Sequence, residues 1–183
     1  MKLKRALLAD LERHYYYGGR KDYMPGVGNL LLNMFNPRFL PVVFFRLSHA
    51  LYKCHLTPLA RLVSLLNYLY FGIEIAMRCE IGDGLFLPHT VGTVIGAHRI
   101  GRNAVIYQGV TFGAKEIDMD YSDNERPIVG DNVIIGSGAK ILGGISIGDN
   151  VVIGSNAVVV ESIQPNVMVG GVPAKFLRNI NKE

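Results

Sequence analysis

Five histidines, two cysteines and one run of carboxylates are the side chains of this chain best suited to chemistry near neutral pH. An imidazole titrates close to pH 7 and can take up or release a proton there. His89 lies in Leu87-Pro88-His89-Thr90-Val91-Gly92, beside small residues that leave room for a ligand. His14, His49, His55 and His98 have no comparable context, and His98, next to Arg99, reads as a solvated turn residue. Cys54 and Cys79 fall outside any metal-ligand spacing and have no histidine partner by motif, so they read as free thiols in a reducing cytoplasm. Asp118, Asp120 and Asp123 alternate in an acidic stretch. They lack the glycine and terminal glutamate of a calcium loop, so no metal is expected.

The element that must position these residues is a repeat. From Pro127 to Val159 an aliphatic residue recurs every six positions, at Val129, Ile135, Ile141, Ile147, Ile153 and Val159. Gly130, Gly136, Gly148 and Gly154 follow four of them. Neither the helical nor the strand period accounts for this. A six-residue period predicts a parallel β-helix, each hexad giving one short strand and one turn, with stacked coils closing a shared core. The Asp131-Asn132 and Asp149-Asn150 pairs suit turns that need positive φ. Upstream, Ile81 and Leu87 are in step, one extra residue precedes Val94, and Ile100, Ile106 and Phe112 resume the rhythm. The pattern stops at 115–126, where five acidic and two basic residues predict a loop thrown out of the solenoid. Three hexads per turn make about four coils.

The organisation expected is a helical N-terminal region over 1–72, the β-helix over 73–165 and a tail over 166–183, read as a final strand and a short helix or tail. Helices are predicted for 3–16, 28–35, 38–54 and 57–70, with Pro37, Pro41 and Pro58 near their starts. Leu59, Leu62, Leu65, Leu66 and Leu69 give the last one an apolar face, expected to pack on the end of the β-helix. Residues 1–75 carry ten Lys/Arg against four Asp/Glu, and the rest of the chain nine against eleven. The basic third reads as a helical cap with solvated cations, and peripheral contact with an anionic membrane is the second reading. The run from Phe39 to Tyr52 is broken and short of the roughly 20 residues a spanning helix needs, and the first residues lack the apolar core of a signal peptide. No nucleic-acid module is recognisable.

With these stretches in hand, IGDGLFLPHTVGTVIG, IGRNAVIYQGVTFGAK, GSGAKILGGISIGDNVVIGSNAVV and GGVPAKFLR together resemble the left-handed β-helix acyltransferases, in the serine O-acetyltransferase branch that includes exopolysaccharide and colanic acid acetyltransferases. The likeness covers roughly residues 70–178. It implies a mainly β, left-handed parallel β-helix, acetyl-CoA as donor, and a homotrimer or dimer of trimers with active sites between subunits. The family's catalytic histidine falls on His89, which would deprotonate the acceptor hydroxyl as it attacks the thioester. The carboxylate that orients it falls on Glu74. The pantetheine groove falls on Gly113, Ala114, Ser137, Gly138 and Ser155, and Lys175 or Arg178 would meet CoA phosphates.

Two departures bear on the acceptor. The serine enzymes place Asp before the catalytic histidine, where this chain has Pro88, and Arg-His before the proline that re-enters the repeat, where it has Glu125-Arg126. Arg126 could bind a carboxylate but cannot act as a base near neutral pH. The chain also lacks most of the family's long N-terminal helical domain, and Asn181-Lys182-Glu183 is not the isoleucine tail of the serine enzymes. A sugar hydroxyl is therefore the expected acceptor, with free serine the alternative. A non-catalytic β-helix scaffold is the alternative from another class.

Overall fold

The structure is a computed structural model that describes residues 3–118 and 120–180, so the last three residues of the predicted tail lie outside the described residues. Four helices come first: α1 (Leu3–Tyr17), α2 (Val27–Asn33), α3 (Leu40–Lys53) and α4 (Thr57–Phe71). Proline occupies the first turn of α3 and α4, where its missing N–H breaks no hydrogen bond. Gly72, at φ +60°, ends α4 in the left-handed conformation that glycine adopts without strain. Leu7 and Leu11 of α1, Leu30 of α2, and Phe39 with Val43 of α3 make a small core of their own.

Fourteen short strands follow among the described residues. The first face of the prism stacks β1 (Ile73–Ile75), β3 (Thr93–Ile95), β6 (Thr111–Gly113), β9 (Lys140–Leu142) and β12 (Val158–Val159). The second stacks β2 (Glu80–Ile81), β4 (Arg99–Ile100), β7 (Ile128–Val129) and β10 (Ser146–Ile147). The third stacks β5 (Val105–Ile106), β8 (Ile134–Ile135), β11 (Val152–Ile153), β13 (Val167–Gly170) and β14 (Lys175–Asn179). All pairings are parallel except β13 with β14. The six-residue aliphatics point inward: Ile75, Ile95, Phe112, Ile141 and Val159 stand in register and are all at most 4% exposed.

The corner between the second and third faces shows how a turn is held when only structure is at stake. Asn103, Asn132, Asn150 and Asn166 all take positive φ there. Their side-chain amides form a ladder, each donating to the next at 3.0, 3.2 and 2.8 Å. Asparagine tolerates this conformation and adds a hydrogen bond that glycine cannot.

The helical region is fastened to the first coil by one buried pair. Arg46 of α3 grips Asp10 of α1 through Nε at 2.8 Å and Nη2 at 2.9 Å, and donates to the Ile81 and Gly82 carbonyls at 2.6 Å each. Asp10 in turn accepts from the Gly84 and Leu85 N–H groups. Both side chains are almost fully buried, and their polar atoms are satisfied by one another and by main chain.

Three expectations are corrected. Val94 does not point inward: it is 37% exposed and pairs with Glu74 and Thr111 on the outer surface, while Ile95 takes the core position. Leu87 to Ile95 is therefore two residues longer than the hexad, and Ile95 to Ile100 one shorter. The net count of one insertion conceals a two-residue bulge at Pro88-His89-Thr90. The leucine face of α4 is not packed on the β-helix, since Leu59, Leu62, Leu65 and Leu69 are each at least half exposed. The helix instead buries Ala60 and Asn67, with the Ser48 hydroxyl of α3 donating to Ala60 O and the Asn67 amide donating to Pro41 O. Small and polar residues carry the helix contact because they let α3 and α4 approach. After β13 the chain turns back as the antiparallel strand β14 and forms no helix within the described residues.

Candidate active site

The bulge carrying His89 sits at the corner between the third and first faces. Thr90 Oγ1 donates to Phe71 O at 2.9 Å, Gly92 N to Gly72 O at 2.9 Å, and Thr93 N to Thr90 O at 3.1 Å. The end of α4 thus pins both sides of the bulge, and His89 itself is exposed. Glu74 is also exposed, two residues beyond the Gly72 that the bulge bonds. No hydrogen bond joins Glu74 to His89 among the described residues.

Below the bulge, the same corner repeats through the coils as Gly92, Gly109 and Gly138, at φ +74°, +71° and +73°, and ends on Asn156 at φ +57°. The Gly109 and Gly138 N–H groups bond the Val91 and Gln108 carbonyls, so the three glycines stack. Asparagine fills this conformation at the neighbouring corner, so positive φ alone does not demand glycine here. At Gly138 a Cβ would collide with the Asn156 side chain of the next coil, and at Gly92 and Gly109 it would lie 3.8 and 3.5 Å from the glycine below, so glycine lets these turns stack closely. Ser137 and Ser155 flank this column, 3.3 Å apart between hydroxyls. Gly113 and Ala114 are not part of it: they lie at the opposite edge of the first face, where Gly113 O accepts from Gly143 N and a Cβ on Gly113 would meet nothing within 4 Å. Lys175 and Arg178 lie exposed on β14.

Two residues of this corner were not singled out in the sequence. Gly109 looked like any turn glycine. Lys140 looked like an ordinary outward position of the repeat, yet its ammonium reaches back to Gly109 O at 2.6 Å and Thr111 Oγ1 at 3.1 Å. No sequence signal separates either from its repeats.

Arg126 is committed within its own chain. Its Nε and Nη2 donate to Asp118 Oδ2 at 3.2 and 3.0 Å, Nη1 donates to Gly96 O, and the guanidinium lies 3.8 Å from the Tyr121 ring centre. A substrate carboxylate would have to displace Asp118. The excursion loop is folded onto the prism by these contacts, by Tyr121 OH donating to Ala97 O, and by His98 Nδ1 against Asp123 at 3.1 Å. His98 is thus a loop contact as well as a turn residue. Gly144 makes room for the loop, since a Cβ there would collide with the Asn124 carbonyl.

Burial disfavours the charged Asp118, but hydrogen bonds from Arg126 and Ser122 outweigh it and hold the carboxyl below the usual carboxylate range. A group depressed in the folded state contributes above its unfolded pKa and loses that contribution as pH falls through its folded value. The loop is therefore expected to stay docked at pH 5–7 and to release only below the ordinary carboxylate range of about 4. Amide hydrogen exchange over 120–126 checks this, and release near pH 6 would contradict it.

Other reactive groups are poorly placed. Burial first of all pushes the Cys79 thiol up to about 12, which suppresses its thiolate. Cys54 is exposed and unpaired by disulfide. A cavity of about 870 Å³ lies between α3 and the second face, lined by His49, Lys53, Arg99 and Arg102 among others. Lys53 is paired with Glu80 and Arg102 with Asp131, and the His49 ring bonds Met77 O through Nδ1 at 2.9 Å. Burial lowers the His49 pKa. This cavity offers a second imidazole, but its Nδ1 is engaged by the Met77 carbonyl and the cations Lys53 and Arg102 around it are paired. Among the described residues no cluster of His, Cys, Asp or Glu converges as a metal site.

A three-sided coil of hexads with one exposed imidazole at a corner defines a hexapeptide-repeat protein, and comparison with known proteins agrees. The model of the bacterial transferase hexapeptide (six repeats) matches residues 126–160. A serine acetyltransferase of Staphylococcus xylosus is 43% identical over 133 residues, 72% of this chain and 60% of that protein. The crystal structure of the Neisseria gonorrhoeae serine acetyltransferase superimposes with a TM-score of 0.85 at 31% identity, over 100% of this chain and 68% of the other. A serine acetyltransferase in complex with CoA gives 0.80 at 26% identity, over 96% and 69%. The chain belongs to the hexapeptide-repeat acyltransferase family, in its serine acetyltransferase-like branch, and shares the left-handed β-helix. It spans about three fifths of the length of the curated relatives it matches.

Proposed function

We propose that this protein is an acetyl-CoA-dependent O-acetyltransferase in which His89 is the general base. The observation that carries the reading is the exposed His89 bulge at the head of the stacked glycine column. The acceptor hydroxyl gives its proton to the imidazole and attacks the thioester carbonyl, and the CoA thiolate leaves and is reprotonated. Ser137, Gly138 and Ser155 would lie along the pantetheine arm, with Gly113 and Ala114 across the first face and Lys175 or Arg178 toward the phosphates. Glu74, on β1 two residues beyond the Gly72 that the bulge bonds, is the residue that would orient His89.

L-Serine is the acceptor to which the relatives' names point, and it is the first reading. A sugar hydroxyl is the second, favoured by two observations. Pro88 offers no counter-ion for an ammonium group, and Arg126, the one candidate for a carboxylate, is bound to Asp118. Thiol release from acetyl-CoA decides between them: turnover with L-serine that saturates supports the first reading, and turnover only with sugars supports the second. No release with any hydroxyl acceptor, and no CoA binding, would favour the scaffold instead.

Self-association into trimers or dimers of trimers belongs to the same proposal, and the exposed leucines of α4 supply apolar surface for it. Light scattering at the mass of one chain would reject it. A cytoplasmic setting follows from the reducing thiol reading, and no helix among the described residues is long and apolar enough to cross a membrane. Peripheral contact at the inner face would use Met24, Leu31, Leu32 and Phe35, all well exposed near Arg20, Lys21 and Arg38. Co-sedimentation with anionic but not zwitterionic vesicles at low salt is the expected result, and absence from both pellets would remove the idea.

A further inference from the structure

Lys140 carries a charge that the protein itself does not balance. Of the described lysines and arginines, only Arg13, Arg46, Arg126 and Lys140 are drawn in from solvent. Arg46 is paired with Asp10 and Arg126 with Asp118, and Arg13 lies against the rings of Tyr16 and Tyr17. Lys140 has neither a carboxylate nor a ring among the described residues. Its partners are two neutral oxygens, Gly109 O at 2.6 Å and Thr111 Oγ1 at 3.1 Å. An ammonium has three N–H donors, so one is left unspent. A half-buried charge met only by neutral groups gains from an anion brought by a ligand. One residue before Gly109, Gln108 Oε1 is also buried without a partner.

Register places this ammonium in the coil directly beneath the His89 bulge. Phe86 bridges Val105, and Gly109 N donates to Val91 O at 3.1 Å, so residues 87–91 pass over residues 106–108. Lys140 stands on β9 in register with Thr111 of β6, and its side chain rises one coil to end on Gly109 O. Adjacent coils are about 4.8 Å apart. Gly109 belongs to the glycine column along which the proposed donor lies. A donor whose acetyl group meets an acceptor held at His89 has its sulfur one bond further on, at the head of that column, where the ammonium sits.

We infer that Lys140 faces the sulfur of the donor and stabilises the CoA thiolate as it departs. The inference rests on the acetyl-transfer reading and adds a second catalytic residue to it. In the step, the acceptor O–H bond breaks with its proton passing to His89 and the ester C–O bond forms. The thioester C–S bond breaks with its electron pair going to sulfur. The ammonium then meets a negative charge that the thioester lacks, so it binds the transition state more strongly than the ground state. The His89 imidazolium returns the proton to the thiolate, and CoA leaves as the thiol. The role is the same whether the acceptor is an amino acid or a sugar.

The thiol of bound CoA reports the charge beside it, because an adjacent cation lowers the pKa of an acid by about 1–3. Ultraviolet titration of the thiolate in the CoA complex of the full chain, with the S-methyl-CoA complex as blank, tests the inference. The bound thiol is expected to titrate at least about one pH unit below free CoA. Lys140→Met should return it to the free value, and Lys140→Arg should keep most of the lowering. Thr111→Val, which removes a neutral partner and leaves the ammonium, should keep it too. Calorimetry of CoA binding reports that each variant is folded. A bound thiol that titrates with free CoA in the unsubstituted protein, or an equal lowering in Lys140→Met, would overturn the inference while leaving acetyl transfer standing. The second result would reduce Lys140 to a brace between coils. Failure of the unsubstituted protein to bind CoA would instead bring down the acetyl-transfer reading, and this inference with it.

Discussion

Replacing His89 by alanine is expected to lower kcat for acetyl transfer by about 10²–10⁴-fold, the usual worth of a positioned general base. The KM for acetyl-CoA should stay within about threefold, because the proposed donor track along Gly109, Gly138 and Ser155 does not depend on the imidazole. The fold should be untouched, since the His89 side chain is exposed and makes no hydrogen bond among the described residues. His49→Ala provides the matched control. His49 lines a large cavity and has a lowered pKa, so it is the rival base, and its loss is expected to leave kcat unchanged. Steady-state thiol release at saturating acceptor distinguishes the two variants. Full activity in His89→Ala, or its loss in a folded His49→Ala, would move the chemistry to the second face.

The largest effect on stability is expected at Arg46. Removing one partner of a buried ion pair leaves the other charged and desolvated, at a cost of about 3–5 kcal/mol. That is a large share of the 5–15 kcal/mol typical of a domain. Arg46→Ala strands Asp10 and also unbinds the carbonyls of Ile81 and Gly82. Asp10→Ala strands Arg46 and frees the Gly84 and Leu85 N–H groups. Each single variant should show a clearly lower urea midpoint by circular dichroism. The double variant Asp10→Leu/Arg46→Met should recover part of the loss, because two apolar side chains of similar volume leave no buried charge. Because Gly84 and Leu85 lead directly into the His89 bulge, the single variants should also lose activity before they unfold. A midpoint unchanged in both single variants would show that the pair does not fasten the helices to the prism.

How much of this was legible in the sequence follows from what each signal measures. The hexad aliphatics announced the prism because their positions are fixed by the core alone, and Val129 through Val159 face inward as the period requires. The helices were legible from their prolines and glycines, which act locally. The α4 leucine face packs otherwise than its pattern predicts for a physical reason. Amphipathicity says which face is apolar, whereas packing against α3 selected the face with Ala60 and Asn67, whose slim or hydrogen-bonding side chains permit close contact. The bulge at His89 was half legible: counting found one extra residue, but only strand register shows that two were added at one corner and one removed at the next. Asp10 and Arg46 gave no signal at all, being 36 residues apart and ordinary helix residues in composition. The commitment of Arg126 to Asp118 was equally hidden, since a loop has no period from which contacts can be read.

On the proposed function, the donor lies along the corner between the third and first faces, below His89. Amide hydrogen exchange with and without CoA addresses it directly. Protection is predicted at residues 108–110, 136–139 and 154–157, with none along the second face. Protection confined to residues 46–54 and 99–102, around the cavity beneath α3, or no protection anywhere at saturating CoA, would contradict it.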